Sequence, residues 1–276
     1  MGNCVYCMKP AGFFRSQHKQ CRQDIETVTS KINLEIINFF TKKINLEYIE
    51  NFISKIFNEY SNIINQRTNI LIKSFDNSIE HLLNDGLIDE SEEKLINQFC
   101  DKFSISGEQL DLNGNYSKIV KSLVLSDLTS GILPQRIKLD IQLNINFQKS
   151  ESIIWLFNSC NLLEQKTRRA YVGASSGVSI RIAKGVYYRV GQFRGNPIER
   201  TENLITDNGI VIVTNKNIYF QGNKKSFRIP FNKIVAFEPF SDGIGVLKDG
   251  VSAKPIYLIT NDGWFTYNLC KNVGAL

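Results

Sequence analysis

The sequence predicts an α+β multidomain chain: a short N-terminal module, then a helical bundle, then an antiparallel β domain of barrel or sandwich form. Three observations carry this. Three of the six cysteines and one of the two histidines fall within the first 21 residues, ahead of any apolar run able to nucleate a core. From about Asp24 to Phe103 apolar residues recur in steps of three and four, and no proline occurs between Pro10 and Pro134. Beyond Pro134 the period shortens to two, and Gly, Asn and Asp divide the chain into short segments. The resulting boundaries are 1–22, 23–130 and 135–276.

In the first module, Cys4, Cys7, His18 and Cys21 form Cys-x2-Cys-x10-His-x2-Cys. Two thiolates one tight turn apart can take one side of a tetrahedral ion. A His and a Cys three apart on a helical turn can supply the other two ligands. Lys9-Pro10-Ala11-Gly12 is a turn signal, and Ser16 is a candidate cap for a helix from about His18 into Gln23-Asp24-Ile25. A knuckle followed by a helix resembles the treble-clef and zinc-ribbon fingers, here with a shorter spacer than most. The expected cofactor is one zinc ion. Four protein ligands close the coordination sphere, so its role is structural rather than catalytic. The alternative is a loose N-terminus with scattered cysteines. Cys100, Cys160 and Cys270 lie far apart among apolar neighbours, as reduced, buried thiols do.

At 276 residues and 42% hydrophobic, the chain is long enough for two compact domains and too apolar for general disorder. No window approaches 18 uninterrupted apolar residues, which argues against a membrane-spanning helix. The opening residues lack a basic region followed by an apolar stretch, so the expected location is cytoplasmic, with peripheral membrane attachment as an option. Met1-Gly2-Asn3-Cys4 resembles a lipidated start, but Tyr6 stands where a myristoylation signal prefers Ser or Thr. The Ile- and Asn-rich composition fits an AT-rich, bacterial genome. The net charge of +6 is unevenly divided. Residues 1–150 hold 17 Lys and Arg against 18 Asp and Glu, and residues 151–276 hold 16 against 9. A basic C-terminal half suits an anionic membrane, a nucleic acid or an acidic protein, or it is simply a solvated surface.

Within the helical region, Leu46, Ile49, Ile53, Ile56, Tyr60 and Ile63 form one face of a single long helix. Asn84-Asp85-Gly86 breaks the run. Asp89 followed by Glu92 caps a second helix through Phe103, and Asn113-Gly114-Asn115 precedes a third from Tyr116 to Leu128. The stretch HLLNDGLIDESEEKLINQFCDKF, residues 81–103, resembles the helical family associated with tellurite resistance and its relatives in co-chaperones. That resemblance implies a second metal at Asp85, Asp89 and Glu93. Helix capping would place the same acids there, and the spacing is not that of an EF-hand.

In the β region, Ile137 to Phe147 alternates as a half-buried strand. Further strands are expected around 178–183, 186–190, 210–214, 218–221, 226–229, 234–237 and 255–260. The run GIVIVTNKNIYFQGNKKSFRIPFNKIVAFEPF, residues 209–240, resembles pleckstrin-homology-like and GRAM-type domains. Thr214, Asn215, Ile218, Tyr219, Phe220, Ile229, Pro230 and Ile234 carry the match, and Asn217 stands where an Arg is common. The resemblance implies that residues 261–269 form the last strand, leading into a capping helix. It also implies an anionic-ligand pocket in the loops between early strands, with Arg168, Arg169, Lys184 and Arg189 as its candidates. The fold hosts lipid, peptide and protein binding alike. Lys224, Lys225, Arg228 and Lys233 cluster across one hairpin, where they can meet an anionic surface or guard an edge strand against unwanted pairing.

Two motifs suggest enzymes and neither holds. Gly173 to Gly177 matches Gly-x-Ser-x-Gly, but no histidine follows His81 to serve Ser175 as a base. Gly191 to Gly195 lacks the Lys-Ser or Lys-Thr of a phosphate loop. The expectation is a non-enzymatic adaptor without a small-molecule substrate. It would bind a protein partner, an anionic membrane surface, or both through its β domain. The alternative is a nucleic-acid-binding protein that uses the finger, which Lys9, Arg15, Lys19 and Arg22 surround. Phe13 and Phe14 are expected to pack the finger onto the helices.

Overall fold

The structure, a computed structural model, describes residues 2–83, 87–111, 114–137, 143, 145–171, 179–183, 186–189, 197–250 and 253–276, with side chains described outside 166–203. The chain divides into two compact units, Met1–Arg136 and Ile137–Leu276. This division sharpens the charge asymmetry: the first unit holds 15 Lys and Arg against 17 Asp and Glu, and the second holds 18 against 10.

The first unit is helical: α1 (Lys19–Lys42), α2 (Leu46–Glu59), α3 (Arg67–Leu83), α4 (Glu90–Phe103), the single turn α5 (Gly107–Leu110) and α6 (Asn115–Thr129). Its centre is aromatic. Phe99 lies 5.5 Å from Phe75, 6.0 Å from Phe39 and 4.7 Å from Phe103 between ring centroids, in the tilted and offset arrangements that aromatic quadrupoles favour. Cys4, Ala11 and Cys21 belong to the same buried cluster, so the N-terminal segment shares the helices' core.

The expected single helix from Leu46 to Ile63 is interrupted. Ile49, Ile53, Ile56 and Ile63 are buried as the periodicity requires, but the backbone leaves the helix at Tyr60 (φ −107°, ψ 51°) and continues as a 3-10 turn, Ser61–Gln66. Ser61 and Asn62 offer side chains that compete for local hydrogen bonds. Asn62 is drawn off to Asp24 on α1, donating to its Oδ2 at 2.8 Å. Asp89 caps α4 as expected: it accepts the Glu92 N–H at 2.8 Å while the Glu92 carboxylate accepts the Asp89 N–H at 3.0 Å. Arg136 bonds both Glu93 oxygens, at 2.6 and 3.1 Å, and the Asp127 carboxylate, so the end of the unit is tied to α4 and α6.

The second unit holds β1 (Ile153–Tyr171), β2 (Ser179–Ala183), β3 (Val186–Arg189), β4 (Pro197–Thr214), β5 (Asn217–Gly222), β6 (Ser226–Pro230), β7 (Ile234–Pro239), β8 (Gly243–Lys248), β9 (Ile256–Ile259) and α7 (Gly263–Val273). Seven strands form one antiparallel sheet in the order β6-β5-β4-β1-β9-β8-β7, and β2 pairs with β3. Two three-strand meanders, β4–β6 and β7–β9, are joined by β1, which pairs with β4 on one side and β9 on the other.

This architecture corrects the expected barrel or sandwich, because the sheet is open and β6 and β7 are its edges. Pro230 and Pro239 terminate these short strands and remove ladder donors at their ends. The strand expected over 137–147 is not observed either: of the described positions there, Ile137, Leu143 and residues 145–147 lie outside any strand, and the rest lie outside the described residues. Residues 261–269 are not a strand leading into a helix; from Gly263 they are the helix. Asp262 accepts the Phe265 N–H at 3.2 Å as the cap of α7, and Phe265 packs edge-on against Trp155 at 4.8 Å.

Two carboxylates, the buried Asp207 and the half-buried Glu151, fix turns in this unit. Glu151 accepts from the Gln148 N–H at 2.7 Å, Asn217 Nδ2 at 2.8 Å, the Tyr219 hydroxyl at 2.8 Å and the Thr214 hydroxyl. Asn217 is buried and committed to this carboxylate. Asp207 accepts the N–H groups of Lys224 and Lys225, each at 2.8 Å, which locks the β5–β6 turn. Gly222 leaves room for that carboxylate, since a Cβ there would lie 2.3 Å from its oxygen.

Candidate metal centre

The ligand atoms of Cys4, Cys7, His18 and Cys21 all lie within 4.8 Å of one another. His18 Nδ1 is 3.3 Å from Cys7 Sγ and 3.7 Å from Cys21 Sγ. A zinc tetrahedron, with bonds of about 2.3 Å to sulfur and 2.0 Å to nitrogen, has S···N edges of roughly 3.5 Å, so the donor set fits that ion.

Local backbone chemistry builds the arrangement. The Cys4 N–H donates to Lys9 O at 2.7 Å and the Met8 N–H to Cys4 O at 2.9 Å, which closes the knuckle with Met8 in the left-handed region at φ 59°. Asn3 pairs with Pro10, and the Val5 N–H reaches Ser16 O at 3.0 Å. Ser16 is therefore part of the stem and not the helix cap. The cap is His18, which places Cys21 in the first turn of α1. His18 Nε2 lies 3.0 Å from Pro10 O. A proton on Nε2 donated to that carbonyl leaves the Nδ1 lone pair facing the sulfurs, the usual way a second contact sets a ligand's tautomer.

Electrostatics separate the thiols. Burial opposes ionisation of Cys4, but the N–H groups of Cys7, His18 and Tyr6 directed at its sulfur prevail and bring it down to about 6. Burial, together with the neighbouring Cys7 and Cys4 sulfurs, pushes Cys21 up to about 11 against the Asn62 amide, which approaches its sulfur at 3.7 Å. Three sulfurs and an imidazole nitrogen converge within 4.8 Å, an arrangement that suits a cation bound through all four.

Asn62 and the Pro10 carbonyl were not predicted. Pro10 sits inside the spacer and carries no marker of its role, and Asn62 arrives from 41 residues along the chain. Phe13 and Phe14 depart from expectation: Phe13 is 73% exposed and Phe14 wholly so, and neither packs the finger onto the helices. They occupy the loop after Gly12 (φ 93°), where Phe14 takes φ 58° and its side chain faces solvent.

The second metal site, at Asp85, Asp89 and Glu93, lies partly outside the described residues. Asp89 is consumed as a helix cap, with its carboxyl held below the usual range by the Ser91 hydroxyl and the Glu92 amide. Glu93 is paired with Arg136, and Asp85 lies outside the described residues. Among the described residues, the only cluster able to hold a metal is the N-terminal one. For the basic candidates, Lys184 lies outside the described residues; Arg168 and Arg169 fall in β1 and Arg189 in β3, with their side chains outside the description. Lys224 and Lys225 occupy the β5–β6 turn, Arg228 the middle of the edge strand β6, and Lys233 the turn before β7. Lys224 and Lys225 thus precede β6 and Lys233 follows it, bracketing the strand that carries Arg228. Lys225 is already paired with Glu164. The Gly173–Gly177 and Gly191–Gly195 motifs lie outside the described residues. No described helix is long and apolar enough to cross a membrane.

Comparison with known protein families, curated proteins and solved structures finds no match for this chain. Its class is therefore read from its own geometry: an α+β chain whose helical unit carries a Cys3His cluster compatible with zinc, joined to a unit built on an open antiparallel sheet.

Proposed function

We propose that the chain is a non-enzymatic adaptor with a structural zinc ion at Cys4, Cys7, His18 and Cys21, whose β unit docks a protein partner or an anionic membrane surface. The observation that carries this reading is the basic edge of the sheet, where among the described residues β6 pairs only with β5 and leaves its other side unpaired beside Lys224 and Arg228. The strand order favours the pleckstrin-homology-like reading: two meanders bridged by the first strand, with a helix at the end of the chain. The metal fits a structural role, because four protein ligands leave no position for a substrate. Glu151, half-buried ahead of β1, and Asp207, buried in β4, are occupied in holding turns.

A photoreactive residue at position 228 in the full chain, expressed in its native host, tests the docking claim. The proposal expects repeated crosslinks to one protein or to anionic lipid. Crosslinks no richer than those from position 55, on the exposed surface of α2, would contradict it. A nucleic-acid role is the second reading, and the exposure of Phe13 and Phe14 beside Lys9 and Arg15 is what favours it.

A further inference from the structure

Residues 1–23 carry four cations, Lys9, Arg15, Lys19 and Arg22, and no Asp or Glu. Zinc with three thiolates and an imidazole contributes one negative charge, so the segment stays positive with the metal bound. The nearest acids are engaged elsewhere. Asp24 is buried and accepts from Gln20 and Asn62, each at 2.8 Å, and Glu26 pairs with Arg22 at 3.0 Å. Among the described residues, Lys9, Arg15 and Lys19 are exposed and have no acidic partner.

Between and beside these cations the chain exposes large apolar side chains: Phe13 and Phe14 at the loop, with Val5 at 51% and Met8 at 57% on the knuckle. The loop stands on a fixed base, since the Ala11 N–H donates to Gly2 O at 2.9 Å and the Val5 N–H to Ser16 O at 3.0 Å. Phe14 is held in a left-handed conformation that a bulky residue rarely adopts. A conformation of that kind, retained at an exposed tip, points to a use for the side chain there.

We propose that this loop seats the chain on an anionic bilayer, with Phe13 and Phe14 entering the acyl boundary while Lys9, Arg15 and Lys19 meet the lipid phosphates and carboxylates. An amphipathic element with cations around an apolar tip is what an anionic interface selects. A nucleic acid fits the same atoms less well. The two rings are inclined at 46° with centroids 6.4 Å apart, which is no parallel slot for a base, and Val5 and Met8 offer neither stacking nor hydrogen bonds. The inference rests on the metal-bound finger proposed above, which fixes the base of the loop, but it moves the membrane contact from the β unit to the finger.

The test is co-sedimentation of the full chain with phosphatidylcholine vesicles with and without about 30% phosphatidylserine, with zinc content measured on every preparation. The expected result is binding to the anionic vesicles only. Phe13→Ser with Phe14→Ser should weaken it by roughly tenfold or more, at unchanged zinc content. Lys55→Glu, on the exposed surface of α2, should leave it unaltered, and a Phe14→Trp variant should be quenched by brominated lipid beyond the wild-type signal. Wild-type binding by the zinc-loaded double-serine variant would overturn the proposal, as would capture of a single-stranded oligonucleotide without vesicle binding. Vesicle binding that depends on both phenylalanines in protein without zinc would uphold the loop and sink the metal reading alone.

Discussion

The segment ahead of α1 and the segment ahead of β1 perform the same task, tying an irregular lead-in to a long regular element, with opposite chemistry. Ahead of β1, the Glu151 carboxylate is ringed by donors: a backbone amide from its own turn, and an amide and two hydroxyls from the β4–β5 region. Burial opposes its ionisation, yet those donors hold its carboxyl below the usual range. Ahead of α1, three sulfurs and Nδ1 of His18 converge on one point. A carboxylate surrounded by donors is complete within the protein, whereas four converging ligand atoms form an arrangement that a bound cation would complete. On the zinc-bound reading proposed above, the first unit depends on an ion at its N-terminus, whereas Glu151 is satisfied by donors of its own unit.

The largest expected effect breaks that comparison directly. A zinc chelator should collapse hydrogen-exchange protection at residues 2–21 and the first turn of α1 while the sheet stays protected, because structural zinc contributes roughly 10–16 kcal/mol in comparable small sites. Equal loss in both units would mean that the sheet shares the dependence. Next in size is Phe99→Ala, which removes the ring shared by Phe39, Phe75 and Phe103 and should cost about 3–5 kcal/mol. Denaturant unfolding should show the loss in the helical unit with zinc content unchanged.

The reciprocal perturbation is smaller. Glu151→Ala strands Asn217, Tyr219 and Thr214 and should cost the sheet about 2 kcal/mol, with metal content untouched. Acid should act the same way. Glu151 and Asp207 both titrate below their ordinary values, so their contribution is present above the unfolded carboxylate range and is lost as pH falls through the lower folded values. The sheet's melting temperature should thus fall on acidification below about pH 4. Smallest is Asp89→Ala, which removes the capping box of α4 and should cost about 1 kcal/mol by thermal unfolding, without touching either lead-in.

The Cys3His cluster was legible because its four residues lie within 18 positions and carry rare chemistry. Caps were legible for the same local reason, as at Asp89. What escaped were features set by distant partners. Asn62 meets Cys21 only because the chain kinks at Tyr60, and Glu151 reads as a surface acid until Thr214 and Asn217 fold over it. β1 was hidden by register shifts, among them one between Phe157 and Cys160 with Ser159 at φ 56°, which break the alternation that marks a strand. β8 was masked by Gly243 and Gly245. The start of α7 looked extended because Trp264, Phe265, Thr266 and Tyr267 favour strands, although Asp262 is a helix cap in plain view.

Metal analysis by mass spectrometry of freshly reduced protein, beside a Cys4→Ser, Cys7→Ser double variant, tests the central claim most directly. One zinc per chain in the wild type and none in the variant is the predicted result. Wild-type protein that folds with its N-terminal segment protected and holds no metal would contradict it.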